Sequence, residues 1–591
     1  MPKITSDNIP VGVTDFEKLR NMNAVYIDKT PFLKSLLTSS IEVFLLLRPR
    51  RFGKTLSMSM LRNFLELNYE NPEDRSRQET LFKGLKVCTE KEYKELRDKF
   101  MGRYPVISIS FKDAEAKNFK GAVYKIVSVF ADLAYKFQSL TRIESLDTVF
   151  LKRIINCKNN TEPVFESDGT IIENTATMIQ DFLKDLAGCL NKAYGKQVIV
   201  IIDEYDVPLQ KATVHGYYDD MLILIRGILS TTLKDDKNLY RGYVTGCLKI
   251  AHQSIFTGVN NFKTFGLGDA DYSDFIGLTK AETEKLLQEC GMESRLPDVK
   301  SWYDGYNFNE QEMLCPWSVL NFLYDALKEK DPSSFQPKNY WANSSGNDII
   351  EICMRHPRDT DTMKIQNLLE GNTEEITLRE FTSYPQITAK SSFDLFGTLM
   401  LYTGYFTVVR GAVPGAPNRA VIKIPNNEVR QCFFEKAGEI FNQDNDEWFS
   451  QGLDLRDSFL NGEAEKAEET ARKMLRLFVS VRDTAYESFY HGFLAGVLGM
   501  TGSSEISITS NQENGDGFSD VIIKNNPARI AAILEFKKSA SNDPDVMDSL
   551  CNKALKQIED LSYDRDLKNT CRVIHKYGIA FYQKTCRIIG A

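Results

Sequence analysis

Histidine is scarce in this sequence, which has five among its 591 residues. Chemistry that needs several imidazole groups is therefore disfavoured, so carboxylates, lysines or a hard metal ion must carry any catalysis. The 11 cysteines are odd in number and form no Cys-x-x-Cys pair. This spacing argues against a disulfide framework and against a structural zinc site, and we expect reduced, mostly buried thiols.

Long apolar segments are absent as well. The apolar runs reach only the length of a strand, and the N-terminus MPKITSDNIP lacks the basic start and apolar stretch of a secretory signal. We therefore expect a cytoplasmic protein that contacts no membrane. The net charge of −8 excludes a protein that coats nucleic acid through its overall charge, so binding of DNA or RNA would need a local basic groove.

The composition is that of a folded globular chain. Hydrophobic residues make up 42% and charged residues 26%, so neither intrinsic disorder nor a membrane protein is indicated, and no low-complexity tract or fixed-period repeat is present. At about 100 to 200 residues per domain, we expect three or four packed units.

Residues 44–55, FLLLRPRRFGKT, join an apolar run to a Gly-Lys-Thr ending. VFLLL (43–47) predicts a buried parallel strand, and LSMSMLRNFLEL predicts a helix with one apolar face: Leu56, Met60, Leu61, Phe64 and Leu65. A strand, a loop and a helix N-terminus in this order are typical of a phosphate-binding loop. Gly53 would then admit the phosphate, Lys54 would reach the β and γ phosphates, and Thr55 would bind Mg²⁺. A basic surface turn before an amphipathic helix is the alternative.

The segment VIVIIDEYD (198–206) predicts a second buried strand that ends in acidic residues. A Walker B aspartate and a water-activating glutamate occupy such a strand end beside a phosphate loop. We therefore expect Asp203 to hold Mg²⁺ through water and Glu204 to orient or deprotonate the attacking water. Asp206 would support the loop from the second shell of residues around the nucleotide. A solvated acidic turn before Pro208 is the alternative.

Two further segments, YPVISISF (104–111) and RGYVTG (241–246), predict additional strands of a parallel sheet. Thr245, near the end of the second, is placed to sense the γ phosphate. Three arginines near the loop are candidates for contact with nucleotide or a partner, or else for ion pairs with surface carboxylates: Arg50, Arg51 and Arg62.

Four segments together carry a family resemblance: VGVTDFEKLRNMNAVYIDKTPFLKSLL, LLRPRRFGKTLSMSML, IIDEYDVP and TGCLKIAHQSIFTGVNNFKTFGL. They resemble the AAA-ATPase-like family of bacterial and archaeal proteins, whose members often carry a C-terminal nuclease-like domain. In that family the loop commonly reads Arg-Pro-Arg-Arg-Phe-Gly-Lys, so Arg48 fits the family pattern. The resemblance implies ATP binding, although a loop without its first glycine can also act as a slow nucleotide switch.

The middle of the chain turns helical after residue 277. Thr279 and Glu282 form a capping box that opens a helix, and SVLNFLYDALKEK (318–330) predicts an amphipathic helix, so we expect a helical lid. The aromatic segments WYDGYNF (302–308) and YWANSSG (340–346) also resemble the family, but we interpret their rings as core packing.

The connecting region combines a small β unit with helices. The strands GYFTVVR and AVIKIPN flank the loop GAVPGAPN (411–418) and predict a hairpin. The following segment, NGEAEKAEETARKMLRLF, predicts bridging helices, and we expect its charges to form a solvated face.

The segment GDGFSDVIIKNNPARIAAILEFKKS (515–539) predicts two strands joined by a turn at Asn525-Asn526-Pro527. If the hairpin is centred near Pro527 and Ala528, Asp520 and Glu535 face one another, and Lys537 shares the face of Glu535. The two carboxylates would bind one or two Mg²⁺ ions, while Lys537 would orient the attacking water and stabilise charge on a phosphodiester. A surface hairpin with a cross-strand ion pair is the alternative.

This arrangement of Asp and Glu-x-Lys resembles the PD-(D/E)XK nuclease superfamily, in its branch fused to the AAA-ATPase-like domain. The resemblance implies that Glu487, in the preceding helix YESFYHGFLAGVL, supports the metal site. It also matches Gln557 and Tyr563 in spacing, and makes YGIAFYQ (577–583) the final strand. His491 lies on the helical face of Glu487 and is interpreted as a packed or capping residue.

We therefore expect an α/β multi-domain protein with a P-loop NTPase parallel-sheet domain (1–278), a helical lid with a small β insertion (279–430), a helical bridge (431–480) and a restriction-endonuclease-like α/β domain (481–591). The expected function is ATP binding and hydrolysis coupled to cleavage of DNA, with Mg²⁺, or Mn²⁺ at the nuclease site. A nucleotide switch or scaffold that binds nucleic acid or protein without cutting is the alternative. A non-hydrolysing ATP sensor joined to a nuclease is the third hypothesis, and a homo-oligomer is left open.

Overall fold

A computed structural model describes most of the chain. The described residues are 4–248, 261–269, 271–309, 311–341, 364–365, 367–369, 371–378, 392–412, 416, 418–433, 446–478, 490, 493–494, 497–499, 501–503, 505–514, 517–565 and 567–591. The chain divides into two compact units, one formed by Met1–Tyr340 with Glu375–Asn427 and the other by Trp341–Glu374 with Glu428–Ala591. The three boundaries between the four domains expected from the sequence stay predictions.

The first unit is built on a five-stranded parallel sheet of order β2-β3-β4-β1-β5. Its strands are β1 (Val43–Leu47), β2 (Val106–Ser110), β3 (Val198–Asp203), β4 (Leu239–Gly246) and β5 (Phe262–Phe265). Every residue of β1 and β3 is buried, as expected for central parallel strands covered on both faces. The four strands predicted from the sequence are confirmed, and β5 is an additional edge strand.

Helices cover this sheet: Phe16–Asn21, Pro31–Thr38, Lys54–Leu65, Ser76–Leu81, Lys86–Thr89, Lys94–Phe100, Phe119–Lys136, Val149–Lys158, Glu173–Tyr194, Val207–His215 and Tyr218–Leu233. The helix after the loop buries four of its five predicted apolar residues, and Leu56 is half-buried. No helix in the described residues is both long enough and apolar enough to cross a membrane.

The rest of the first unit combines helices with two small sheets. Helices span Lys280–Cys290, Leu296–Tyr303, Pro316–Ala326 and Phe393–Thr403. One sheet has the order β6-β8-β7 (Leu278–Thr279, Gln311–Leu314, Tyr306–Phe308), and the other the order β10-β11-β9 (Thr407–Val408, Arg419–Lys423, Glu374–Thr377). The Thr279 capping box and the β10–β11 hairpin are confirmed.

The aromatic rings of residues 302–308 pack as predicted. Tyr303, Tyr306 and Phe308 are buried, and the latter two contact Phe52 of the phosphate-loop segment with ring centroids 4.8 Å and 5.2 Å apart. The loop is therefore packed against β7 through Phe52.

The second unit contains a five-stranded mixed sheet of order β12-β13-β14-β15-β16. The strands are β12 (Ile506–Asn514), β13 (Gly517–Asn525), β14 (Ile530–Lys538), β15 (Val573–Tyr582) and β16 (Thr585–Gly590), and the helix Pro544–Asp560 links the parallel pair β14–β15. The β13–β14 hairpin is confirmed. The prediction that YGIAFYQ is the final strand is wrong, because the chain reverses at Gln583, which has a φ of 47°, and adds β16.

Two helices, Asp446–Asn461 and Ala464–Phe478, pack on this sheet. They share one hydrophobic cluster with residues of β13 to β16. The expectation of a solvated charged face is wrong for Glu468, which is buried. Burial of this carboxylate is compensated, because it accepts hydrogen bonds from Arg587 and from the Ile588 N–H and forms an ion pair with Arg472.

Candidate functional site

The loop between β1 and the helix Lys54–Leu65 has the geometry of an anion site. Gly53 is the N-cap residue and has a φ of 92°, a left-handed conformation that glycine adopts at little cost. A Cβ on Gly53 would meet nothing within 4 Å, so backbone conformation rather than space requires glycine there. The helix N-terminus leaves backbone N–H groups for an anion, as the sequence predicts.

Lys54 is held inside this loop. Its side chain is 5% exposed, and Nζ donates to the carbonyl oxygens of Arg48 at 2.8 Å and Pro49 at 2.9 Å. Nζ also lies 3.4 Å from Sγ of Cys247, directly after β4. Cys247 was not singled out by the sequence, since only the parallel pairing of β1 with β4 brings it to the loop.

Asp203 joins the loop to the strands β3 and β4. One carboxylate oxygen accepts a hydrogen bond from the Thr55 hydroxyl at 2.6 Å, and the other accepts from the Thr245 hydroxyl. The structure therefore brings Lys54, Thr55, Asp203 and Thr245 together at the carboxyl ends of neighbouring parallel strands. Hydroxyl and carboxylate oxygens are the ligands that Mg²⁺ prefers, so this set fits the ion.

Glu204 follows Asp203 in a left-handed conformation with a φ of 54°. Such a conformation is uncommon for a residue other than glycine, and it occurs where a site over-determines the backbone. Burial, and then the neighbouring Asp203, raise the pKa of Glu204 above its usual range, while Lys54 acts in the opposite direction. Glu204 thus lies in the field of the same cluster.

Arg48, where phosphate loops usually have glycine, is a structural residue. Its guanidinium is 1% exposed and donates to the carbonyl oxygens of Leu47, Phe265, Gly266 and Tyr272. These carbonyls belong to the ends of β1 and β5 and to the segment after β5. Burial lowers the pKa of Arg48 to about 10, so the group is charged at neutral pH and ties the loop entry to the sheet edge.

The other three arginines have protein partners. Arg50 donates to the Gln210 side chain, and Arg62 forms an ion pair with Asp15 at 3.2 Å. Arg51 donates to the Tyr340 carbonyl at 2.6 Å and stacks over Trp317, with its guanidinium carbon 5.0 Å from the ring centroid. Of these contacts, only that of Arg62 is the surface ion pair considered from the sequence.

The second cluster lies on the β13–β14 hairpin. The ladder pairs Val521 with Leu534, which extends in register to Asp520 opposite Glu535. Instead of continuing the ladder, Asp520 accepts the Phe536 N–H through its carboxylate at 2.7 Å. Lys537 Nζ lies 3.1 Å from Glu535 Oε1. The three predicted residues are therefore adjacent, and the pairing of β13 with β14 has the register that the sequence predicted.

Glu535 is the most constrained member of this cluster. It is 2% exposed, and among the described residues its Oε2 has no hydrogen-bond partner. Burial and repulsion from Asp520 raise its pKa to about 7, against the opposing effect of Lys537. A buried carboxylate oxygen without a partner is costly, and a divalent cation held with Asp520 would remove that cost.

The surroundings of the cluster are partly described. Gln557 donates to the Tyr563 hydroxyl at 3.2 Å, and Tyr563 lies in the field of Glu535 and Asp520. Glu487 and His491 lie outside the described residues. Within the described residues no group of three or more His, Cys, Asp and Glu side chains forms a metal cluster.

Comparison with known proteins matches two parts of the chain to domain families. Residues 10–256 match the family described as predicted AAA-ATPase, and residues 485–590 match the PD-(D/E)XK nuclease superfamily. An uncharacterized protein in the vnfD 5' region of Azotobacter chroococcum mcd 1 is 23% identical over 434 residues, which are 72% of this chain and 69% of that protein. No solved structure gives a significant match. The chain therefore carries an AAA-ATPase-like domain and a PD-(D/E)XK nuclease superfamily domain.

Proposed function

We propose that this protein binds and hydrolyses ATP with Mg²⁺ and cleaves phosphodiester bonds of DNA with Mg²⁺ or Mn²⁺. The observation that carries the proposal is the buried Glu535 Oε2, which has no hydrogen-bond partner within the described chain and lies in the cluster of Glu535, Asp520 and Lys537. A binding module has no physical need for a buried carboxylate in this state, whereas a cation site does.

At the nucleotide site, the chain's own residues bind and orient. Lys54 would exchange the Arg48 and Pro49 carbonyls for the β and γ phosphates, and the Gly53 turn would let backbone N–H groups approach them. Thr55 and Asp203 would hold Mg²⁺, which neutralises charge on the phosphates when bound. Glu204 would orient or deprotonate the attacking water, since its raised pKa favours proton uptake.

At the nuclease site, Asp520 and Glu535 would hold the cation, which supplies positive charge to the phosphodiester. Lys537 donates to Glu535 and is only partly buried, so it can also donate to a water or to the scissile phosphate. The Phe536 N–H donates to the Asp520 carboxylate and so helps to hold it in place. Glu487 is proposed as a further support of this cation.

The second candidate function is a nucleotide-dependent switch or scaffold that does not cut. It is favoured by the contacts of Lys54, whose Nζ donates to two loop carbonyls and lies 3.4 Å from Cys247 Sγ. A third candidate keeps the nuclease and uses ATP only as a signal. In all three candidate functions the protein acts in the cytoplasm. Only the first candidate includes coupling between the nucleotide site and the nuclease site.

The test is a cleavage assay on plasmid and linear DNA, with Mg²⁺ or Mn²⁺ and with or without ATP, alongside phosphate release. Glu535→Ala should abolish metal-dependent cutting, and Lys54→Ala should abolish ATP binding and lower ATP-stimulated cutting. The matched controls are Glu559→Ala and Lys34→Ala, which remove exposed charges outside both clusters.

The outcomes separate the candidates. Cutting that is lost only in Glu535→Ala, with ATP bound but no phosphate released, favours the ATP sensor. Cutting that is indifferent to ATP and to Lys54→Ala contradicts the coupling. If ATP binds and no DNA is cut under any condition, the switch or scaffold replaces the nuclease.

A further inference from the structure

Asp206 is the N-cap residue of the helix Val207–His215, but its side chain makes no cap hydrogen bond. An aspartate at this position normally accepts an N–H of the first turn, a contact worth about 1 kcal/mol. Pro208, the second helical residue, has no N–H to offer. The carboxylate is instead directed at another segment of the chain.

That segment is residues 245–248, which continues β4. Asp206 is 4% exposed, and its Oδ2 accepts the N–H groups of Cys247 and Leu248, both at 3.0 Å. The neighbouring Tyr205 donates its hydroxyl to the Leu248 carbonyl, and its N–H donates to the Thr245 carbonyl at 3.1 Å. Residues 205–206 therefore bind residues 245–248 through four hydrogen bonds.

The two segments are also in steric contact at Gly246. A Cβ there would lie 2.6 Å from Tyr205 Cε1 and 2.8 Å from Asp206 Oδ1, closer than side chains approach. The Gly246 carbonyl accepts the Arg48 N–H at 3.3 Å, at the entry of the phosphate loop. The segment is thus fixed between the end of β3 and the loop.

Residues 245–248 reach the nucleotide site at two points. The Thr245 hydroxyl donates to Asp203, and Cys247 Sγ lies 3.4 Å from Lys54 Nζ. Among the described residues, Asp206 forms no hydrogen bond with Lys54 or Thr55, and it acts through this segment.

We infer that Asp206 is a positioning residue that sets the γ-phosphate selectivity of the nucleotide site by holding residues 245–248 against Lys54 and Asp203. The inference rests on the proposed ATP site. In the proposed ATP site, Thr245 would sense the γ phosphate, a group that ADP lacks. Loss of the Asp206 contacts should therefore weaken the binding of ATP more than the binding of ADP.

The experiment measures the Kd of ATP and of ADP with Mg²⁺ for the full-length protein by calorimetric titration, together with the Tm without nucleotide. In Asp206→Asn the Kd of ATP should rise about tenfold and that of ADP less than about threefold, where tenfold corresponds to about 1.4 kcal/mol. A merely structural role would lower Tm and weaken both nucleotides equally, which would overturn the inference.

The matched control is Asp236→Asn. Asp236 is also buried and accepts an N–H, that of Asn238 at 2.9 Å, but it precedes β4 and so lies at the opposite end of that strand. Its substitution should change Tm without changing the ratio of the two affinities.

Tyr205→Phe covers the case in which Asp206→Asn does not fold, because it removes only the donor to Leu248 and keeps the ring against Gly246. The ratio of the ATP Kd to the ADP Kd should then rise by about threefold. An unchanged ratio in the folded variants overturns the inference alone. A wild-type protein that binds neither nucleotide overturns the proposed ATP site, and with it the inference.

Discussion

At the scale of single residues, Arg48 occupies the place where phosphate loops commonly have glycine, and it donates to four carbonyl oxygens at the ends of β1 and β5 and in the segment after β5. A guanidinium can reach these acceptors because its donors are spread over a rigid plane, whereas an ammonium group is a compact point. The charge at this position thus serves the architecture of the loop.

Arg48→Lys should therefore destabilise the first unit by about 3 kcal/mol, because at least two buried carbonyls lose their donor. The shift of the urea midpoint at an unchanged slope measures it. Arg62→Lys is the control, since its ion pair with Asp15 is partly exposed and worth less than about 1 kcal/mol. Unchanged stability together with lost ATP binding would instead make Arg48 a nucleotide contact.

Glu535→Gln should uncouple stability from metal binding. The amide keeps the shape and removes both the buried charge and its repulsion with Asp520, so the metal-free protein should melt at or above the wild-type Tm. Thermal melting with and without Mn²⁺ should show a metal-dependent rise in the wild type and none in the variant. Glu559→Gln should behave as the wild type, and a retained rise in Glu535→Gln would exclude Glu535 as a ligand.

The sequence predicted the positions of some of these site residues but not the hydrogen-bond partners of others. Lys54, Thr55, Asp203 and Asp520 follow from strand ends and a turn, which local pattern encodes. Apart from the adjacent Leu47, the partners of Arg48 and Asp206 could not be predicted, because they lie about 40 to 220 positions away along the chain and meet only through the order of parallel strands.

At the scale of elements, the β13–β14 hairpin was predictable because the turn at Asn525-Asn526-Pro527 fixes its register, and register decides which side chains face one another. The edge strands β5 and β16 were missed. The first has only four residues, and the second follows a turn at Gln583 and Lys584, which lacks the Gly, Asn or Asp that usually marks a hairpin.

The helix Ala464–Phe478 is joined to β16 by Glu468. Glu468→Gln should cost about 2 kcal/mol, less than for a fully buried ion pair, because Arg472 and Arg587 keep 41% of their side-chain exposure. Chemical denaturation of the second unit measures this loss. Glu469→Gln, an exposed neighbour on the same helix, should change stability by less than about 0.5 kcal/mol, and equal effects of the two substitutions would contradict the assignment.

At the scale of the whole molecule, the hydrophobic cluster of the C-terminal sheet draws all its buried members from residues 455–588. A fragment of residues 446–591 should therefore fold alone and melt cooperatively by circular dichroism. The fragment 481–591, which keeps the sheet but lacks Leu455, Phe459 and Met474, should not, because it exposes the face that they cover. Cooperative melting of the shorter fragment would contradict this and would place the domain boundary at 481, as predicted from the sequence.

The form of the phosphate loop in which Lys54 Nζ donates to the Arg48 and Pro49 carbonyls, here called the closed form, has a consequence for nucleotide affinity. If the two carbonyl contacts of Lys54 each favour the closed form by about 1 kcal/mol, the open form is about thirtyfold less populated. The apparent dissociation constant then rises by the same factor above that of the open loop. If ATP binds here as proposed, the site would therefore fill at higher ATP concentrations than a loop whose lysine makes no such contacts.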